Sequence, residues 1–152
     1  MKIVAQRVRR AEVRVEDRVV GAIGRGLLLL VGVERGDGPE QVERAAHRFA
    51  TLRVFEDAEG RMNVGLDEIG GAVLVVSQFT LAGSIRRGRR PDFFGAAPPE
   101  EAEPLVAALI EAFRARGLTV ATGVFRAMME VELVNDGPVT LIWDDPPRGE
   151  RR

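Results

Sequence analysis

With 152 residues, a formal net charge of −1 and no cysteine, the chain is long enough for one domain that buries roughly 70% of its unfolded surface and is held by packing alone. Disulfides, thiolate nucleophiles and Cys-ligated zinc are excluded. So is a global attraction to nucleic acid, which leaves phosphate binding to local basic patches.

Lys2 and Arg7 interrupt any apolar core of a signal peptide, and no run reaches the ~20 apolar residues of a membrane span, so a cytoplasmic protein without membrane association is expected. Residues 2–9, 12–16 and 18–23 read as short strands, with Val13 and Val15 alternating against charged neighbours and Glu16-Asp17 as a tight turn. Leu27 to Val33 is a continuous apolar run of strand length, suited to burial on both faces at the centre of a sheet. After Gly38-Pro39 the spacing of Val42, Ala45, Ala46, Phe49 and Leu52 predicts a helix over 39–52, with Pro39 at its first position and the lone His47 off its apolar stripe.

Val54–Asp57, then Glu59-Gly60 and Met62-Asn63, predict a strand and turn, and Ala72 to Thr80 a buried strand that closes on Ser77-Gln78-Phe79-Thr80-Leu81. Residues 82–97 form a long surface loop that carries Arg86-Arg87-Gly88-Arg89-Arg90, four guanidinium groups able to neutralise phosphates. A second amphipathic helix follows Pro98-Pro99, acidic at its start, basic at its end and stopped by Gly117, with Pro104 as its one irregular residue. Strands are predicted at Thr119–Phe125, Met128–Val134 and Val139–Trp143, the last two separated by Asn135-Asp136-Gly137-Pro138. The sum is a single α+β domain over 1–145, a curved or barrel-like, mainly antiparallel sheet with two principal helices packed outside, and a polar, mobile tail over 146–152.

The two short motifs Ser77-Gln78-Phe79-Thr80-Leu81 and Asn135-Asp136-Gly137-Pro138-Val139-Thr140, in this order and with Gln6-Arg7-Val8, Arg53 to Asp57 and Gly123-Val124-Phe125 in matching places, resemble the D-aminoacyl-tRNA deacylases. The resemblance spans nearly the whole chain. It implies hydrolysis of the ester of D-aminoacyl-tRNA to free D-amino acid and tRNA, and also of glycyl esters mischarged on tRNA(Ala). It further implies a homodimer with a site shared across its interface that holds the 3′-terminal adenosine.

Residue by residue, the resemblance assigns catalysis to Ser77, Gln78, Phe79 and Thr80, with backbone donors around the last three receiving the oxyanion. Chiral selectivity falls to a cis Gly137-Pro138 step whose carbonyls exclude L side chains in the partner's site. About 5–6% of X-Pro bonds are cis, so without the resemblance trans is the expectation. Arg7 would hold the Gly-Pro segment, and Phe125 with Met129 would pack on the adenine. Arg126 stands where the resemblance implies a small residue.

The inventory narrows the chemistry on its own. With no Cys, no Tyr and one His, a conventional triad or catalytic zinc site cannot be assembled in one chain, so no metal and no cofactor is expected. In a strand, Ser77 and Thr80 would project to opposite faces, and each also reads as an ordinary strand-end hydroxyl. Thr80 stays open between nucleophile and bystander. The resemblance, through its substrate class, implies that the neighbouring 2′-OH of the tRNA activates water in place of a protein base. The alternatives are a non-catalytic nucleic-acid-binding module using the Arg86–Arg90 loop, and an interaction domain that dimerises through its strand edges.

Overall fold

Burial on both faces requires two layers of cover, and the apolar runs of the chain are arranged around that need. The computed structural model describes residues 1–147 and 149. Strand β1 (Lys2–Val15) and β2 (Arg18–Ile23) form a hairpin on Glu16-Asp17, both at positive φ as a tight hairpin turn demands. Strand β3 (Gly26–Gly32) follows, then helix α1 (Pro39–Thr51), the short pair β4 (Phe55–Glu56) and β5 (Met62–Val64), and β6 (Ala72–Ser77). After a 3-10 turn at Phe79–Ala82 come helix α2 (Pro99–Ala115), β7 (Thr119–Thr122) and β8 (Glu130–Asp144).

The main sheet runs β2-β1-β3-β6-β7, with β8 antiparallel along the other edge of β1. It is mixed: β3–β6 and β6–β7 are parallel, the pairings of β1 antiparallel. Gly21 of β2 lies so close to the Thr122 carbonyl of β7 that a Cβ there would sit 2.2 Å away, which brings the ends of the sheet together as a nearly closed barrel. The helices pack Val42, Ala45, Phe49, Val106, Leu109 and Phe113 onto the face carrying Ile3, Leu29 and Val75. Val8, Val13, Leu28, Leu74 and Val76 form the second cluster on the opposite face. Each fully buried aliphatic or aromatic side chain contributes roughly 1.5–3 kcal/mol relative to exposure.

The expected breaks in β1 and β8 are corrected. Residues 2–15 form one strand rather than two, and Glu130–Asp144 runs through the Gly-Pro step, because each strand keeps its partner on both sides of a register shift at Gln6/Val8 and Val8/Arg10. β7 stops at Thr122, short of Phe125. At the start of α1 the Gln41 side chain accepts the Gly38 N–H at 2.9 Å, which accounts for a buried glutamine. The Met1 ammonium is also buried, 2.7 Å from Asp37 and 3.1 Å from Glu34. Burial pushes the Asp37 carboxyl above its ordinary range, against the lowering pull of that ammonium. Pro146 and Pro147 are half-buried, and Arg148, Glu150, Arg151 and Arg152 of the expected tail lie outside the described residues.

Candidate active site

The ladder of β6 ends at Ser77, opposite Val31 of β3, and the next N–H, that of Gln78, still donates to the Val31 carbonyl at 2.7 Å. There the chain leaves the sheet. Phe79–Ala82 coil into a 3-10 turn, with the Leu81 N–H on the Gln78 carbonyl (3.1 Å) and the Gly83 N–H on that of Thr80 (3.0 Å). The turn rests on the end of β3 because position 32 is glycine: a Cβ there would lie 2.8 Å from Leu81 Cβ and 3.0 Å from the Gln78 carbonyl. Phe93 supports it from the other side, edge-on to Phe79 at 5.1 Å between ring centroids and against Gly83.

A helical turn gives its first N–H groups no internal partner, so those of Phe79 and Thr80 are donors the turn itself does not consume. Gln78 makes no side-chain cap bond to them. Its own N–H is committed to β3, which narrows the donor set expected around Gln78, Phe79 and Thr80. The expected strand to Thr80 is likewise corrected, and with it the argument that Ser77 and Thr80 must face opposite ways, since Thr80 lies in the turn. The Gln78 side-chain amide donates to the Thr80 hydroxyl. Ser77 continues the Val73–Val75 face and lines a cavity of about 130 Å³ together with Val106, Ile110, Gly123 and Phe125.

The second motif is an interruption in the β1–β8 ladder. Asn135 replaces the missing rungs: its Oδ1 accepts the Val139 N–H at 2.8 Å, while its Nδ2 donates to the Thr140 hydroxyl at 3.0 Å and the Val139 carbonyl at 3.3 Å. Residues 136–138 therefore loop out with their base closed. Gly137 has φ +142, its bond to Pro138 is cis, and both residues are exposed. Beneath them Arg7, 5% exposed, donates from Nε to the Asp136 carbonyl (2.8 Å) and from Nη1 to the Val54 carbonyl (2.7 Å). Arg7 thus ties the segment to the start of the β4–β5 hairpin through the residue before Gly137. Further along the ladder, Arg10 bonds Glu132 at 2.8 Å and holds its carboxyl below the ordinary range, by the hydrogen bond first and by charge second.

Phe125 packs with the helix-side core and Met129 with the other cluster, under Gly123, where a Cβ would come within 2.7 Å of the Met129 sulfur. The structure brings Ser77 and Phe125 to one cavity, which Gly123 also lines, and Met129 adjoins that cavity next to Gly123. Arg126 has φ +66, a left-handed conformation that glycine adopts most easily. Gly32, Val54, Phe93 and Asn135 are supporting residues whose roles the sequence alone did not assign, and the available signals were the places of Asn135 inside the second motif and of Val54 in the Arg53 to Asp57 segment.

The two motifs lie apart within the chain. Ser77 is level with Val31 and so with Ile3, whereas Gly137 and Pro138 lie opposite the interruption beside Arg7, which pairs with Leu27. Three strand spacings and four residues of rise separate them by on the order of 15 to 20 Å. His47 is exposed on α1, and among the described residues no three His, Cys, Asp or Glu side chains gather as metal ligands would.

A sequence model of the family described as D-Tyr-tRNA(Tyr) deacylase matches residues 4–144. The D-aminoacyl-tRNA deacylase of Anaeromyxobacter dehalogenans is 59% identical over 144 residues, covering 95% of this chain and 97% of that protein. The one of Syntrophotalea carbinolica is 58% identical with the same coverage. A solved structure described as c-Myc DNA Unwinding Element Binding Protein superposes with a TM-score of 0.89 at 38% identity, over 96% of this chain and 99% of that one. Matched by the family model over residues 4–144 and at this identity over nearly its full length, the chain belongs to the D-aminoacyl-tRNA deacylases, hydrolases that act on aminoacyl-tRNA.

Proposed function

We propose that the protein works in the cytoplasm as a homodimer that hydrolyses D-aminoacyl-tRNA and rejects L-aminoacyl-tRNA sterically. Each site takes the Phe79–Ala82 turn from one protomer and the Gly137–Pro138 step from the other. The observation that carries this reading is the separation of the two motifs within a protomer: both are exposed, and a second copy supplies the missing half. The free edge of β8, which exposes Val134, Leu141 and Ile142, is a surface on which that copy can dock.

In this reading water attacks the ester carbonyl, and the oxyanion is received by the N–H groups of Phe79 and Thr80, each such donor being worth ~2.7 to 4 kcal/mol. The 2′-OH of the terminal adenosine positions and activates the water, and the 3′ oxygen leaves with a proton as free tRNA. Phe125 and Met129 hold the adenine, with Ser77 beside it. The Gly137 and Pro138 carbonyls occupy the space an L side chain would need, so D-amino acids of many kinds pass. Glycine passes too, which extends the activity to glycyl-tRNA(Ala).

The test is hydrolysis of D- and L-tyrosyl-tRNA by the purified protein with EDTA present. Loss of the D-ester alone is expected, by a route that needs no metal. Equal hydrolysis of both esters would overturn the chiral filter. Salt-dependent tRNA binding with neither ester cleaved would transfer the reading to a binding module built on Arg86–Arg90.

A further inference from the structure

The segment after the 3-10 turn is an anchored arm rather than a slack loop. Ser84 and Asp92 exchange both backbone hydrogen bonds, at 2.8 and 3.0 Å. Phe93 packs on Gly83 and Phe79, and Arg35 donates from its side chain to the Phe94 carbonyl at 2.8 Å and from its backbone to that of Gly95 at 2.9 Å. The seven residues beyond the bridge are all exposed and carry Arg86, Arg87, Arg89 and Arg90.

Two properties of the arm stand out. Arg10, Arg14, Arg44, Arg114 and Arg116 each pair with a carboxylate, but among the described residues the side chains of the four arm arginines make no ion pair or hydrogen bond. Their positive charge is uncompensated. Phe94 beside them is 82% exposed and Phe79 at the turn 54%, so aromatic rings accompany the charges outward from the turn. Guanidinium groups interleaved with exposed aromatics fit a single strand, whose unpaired bases stack while its phosphates are neutralised; a duplex offers no free base faces to Phe94.

We infer that this arm grips the single-stranded 3′ end of the tRNA just upstream of the terminal adenosine, with arginines on phosphates and Phe94 against a base. The inference rests on the deacylase reading and adds a binding element to it. Because the arm joins the turn within two residues, a tRNA end seated at the turn passes along it. The arm therefore contributes affinity that depends on salt and not on the amino acid, and it touches none of the reacting atoms.

The experiment compares the parent with the quadruple variant Arg86→Gln, Arg87→Gln, Arg89→Gln, Arg90→Gln and with Phe94→Ala, on D-tyrosyl-tRNA and on the D-tyrosyl ester of adenosine, which has no upstream phosphate. For the quadruple variant kcat/KM on the tRNA is expected to fall at least about 30-fold at low salt, through KM, and its log–log salt slope to flatten by up to about 3. Phe94→Ala is expected to lose about 5- to 100-fold on the tRNA. On the adenosine ester both variants track the parent. Binding of uncharged tRNA, with and without its unpaired 3′ nucleotides, should depend on the arm only when those nucleotides are present.

Equal losses on both esters would make the arm a structural support and overturn the inference. So would an undiminished rate on the tRNA, arm-dependent binding that survives removal of the 3′ nucleotides, or a changed oligomeric state in either variant. If the parent cleaves neither ester the deacylase reading fails, and the uncharged-tRNA measurement still decides the arm.

Discussion

Gly137 sits where any side chain meets three obstacles at once. A Cβ would lie 2.8 Å from Val139 Cγ2, 3.0 Å from the Val139 nitrogen and 3.1 Å from Arg7 Nη2, at a φ of +142 that L residues rarely adopt. Gly137→Ala is therefore expected to cost about 1–3 kcal/mol in chemical denaturation and to lower the D-over-L ratio of kcat/KM at least tenfold; an unchanged ratio would remove Gly137 from the filter. Thr80 is a different case. Its hydroxyl receives a hydrogen bond from the Gln78 amide, and an amide donor does not remove a proton, so this contact supplies no base for a nucleophile. Thr80→Ala is expected to keep its rate within about tenfold of the parent, because the backbone N–H persists. A loss of several orders of magnitude in a folded variant would restore covalent catalysis to consideration.

Among the elements, the β4–β5 hairpin matters because its leading residue, Val54, accepts one of the two hydrogen bonds that fix Arg7. The hairpin turn is organised by Asp57, whose carboxylate accepts the N–H groups of Arg61 and Glu59 at 2.9 Å each. The Arg61 N–H, as the leading cause, holds the Asp57 carboxyl below its ordinary range. A depressed folded value means the stabilisation is present above the unfolded value of ~3.9 and is lost as pH falls through the folded one. Asp57→Ala is expected to melt below the parent at pH 7, with the difference closing as pH drops beneath about 4. A gap that does not narrow as pH falls would assign the effect to turn geometry rather than to the carboxylate's charge. Legibility also differed between elements. The apolar run of β3 and the 3.6-residue stripe of α1 were readable because burial imposes them on every residue. The continuity of β8 through Gly137–Pro138 was not, because a sequence break that would end an isolated strand is bridged here by the Asn135 amide and by the partner strand β1.

At the scale of the whole molecule, the separation of the motifs makes an exchange test available. In the proposed homodimer, Phe79→Pro deletes one proposed donor at a first-turn position where proline is tolerated, and Gly137→Val fills the step that would complete the other site. Each homodimer is expected to lose about 10²–10³ in kcat. Mixed dimers carry one site with both lesions and one with none, so about half the parental rate per dimer should return. A mixture no more active than the sum of its components would place the whole site within one chain.

What the sequence determined by itself was whatever depends on local chemistry and period: one α+β domain, two helices with the prolines that start them, buried central strands, no thiol chemistry, and two polar motifs at the ends of apolar runs. Tertiary structure alone decided what those motifs present. It turned residues 79–82 out of the sheet because Gly32 admits them, committed the Gln78 N–H to Val31, and joined Arg7 to carbonyls far along the chain in Asp136 and Val54. The reason is physical: periodicity encodes which face of an element is buried, whereas the direction of a free N–H or carbonyl depends on which other backbone group has already claimed its neighbour.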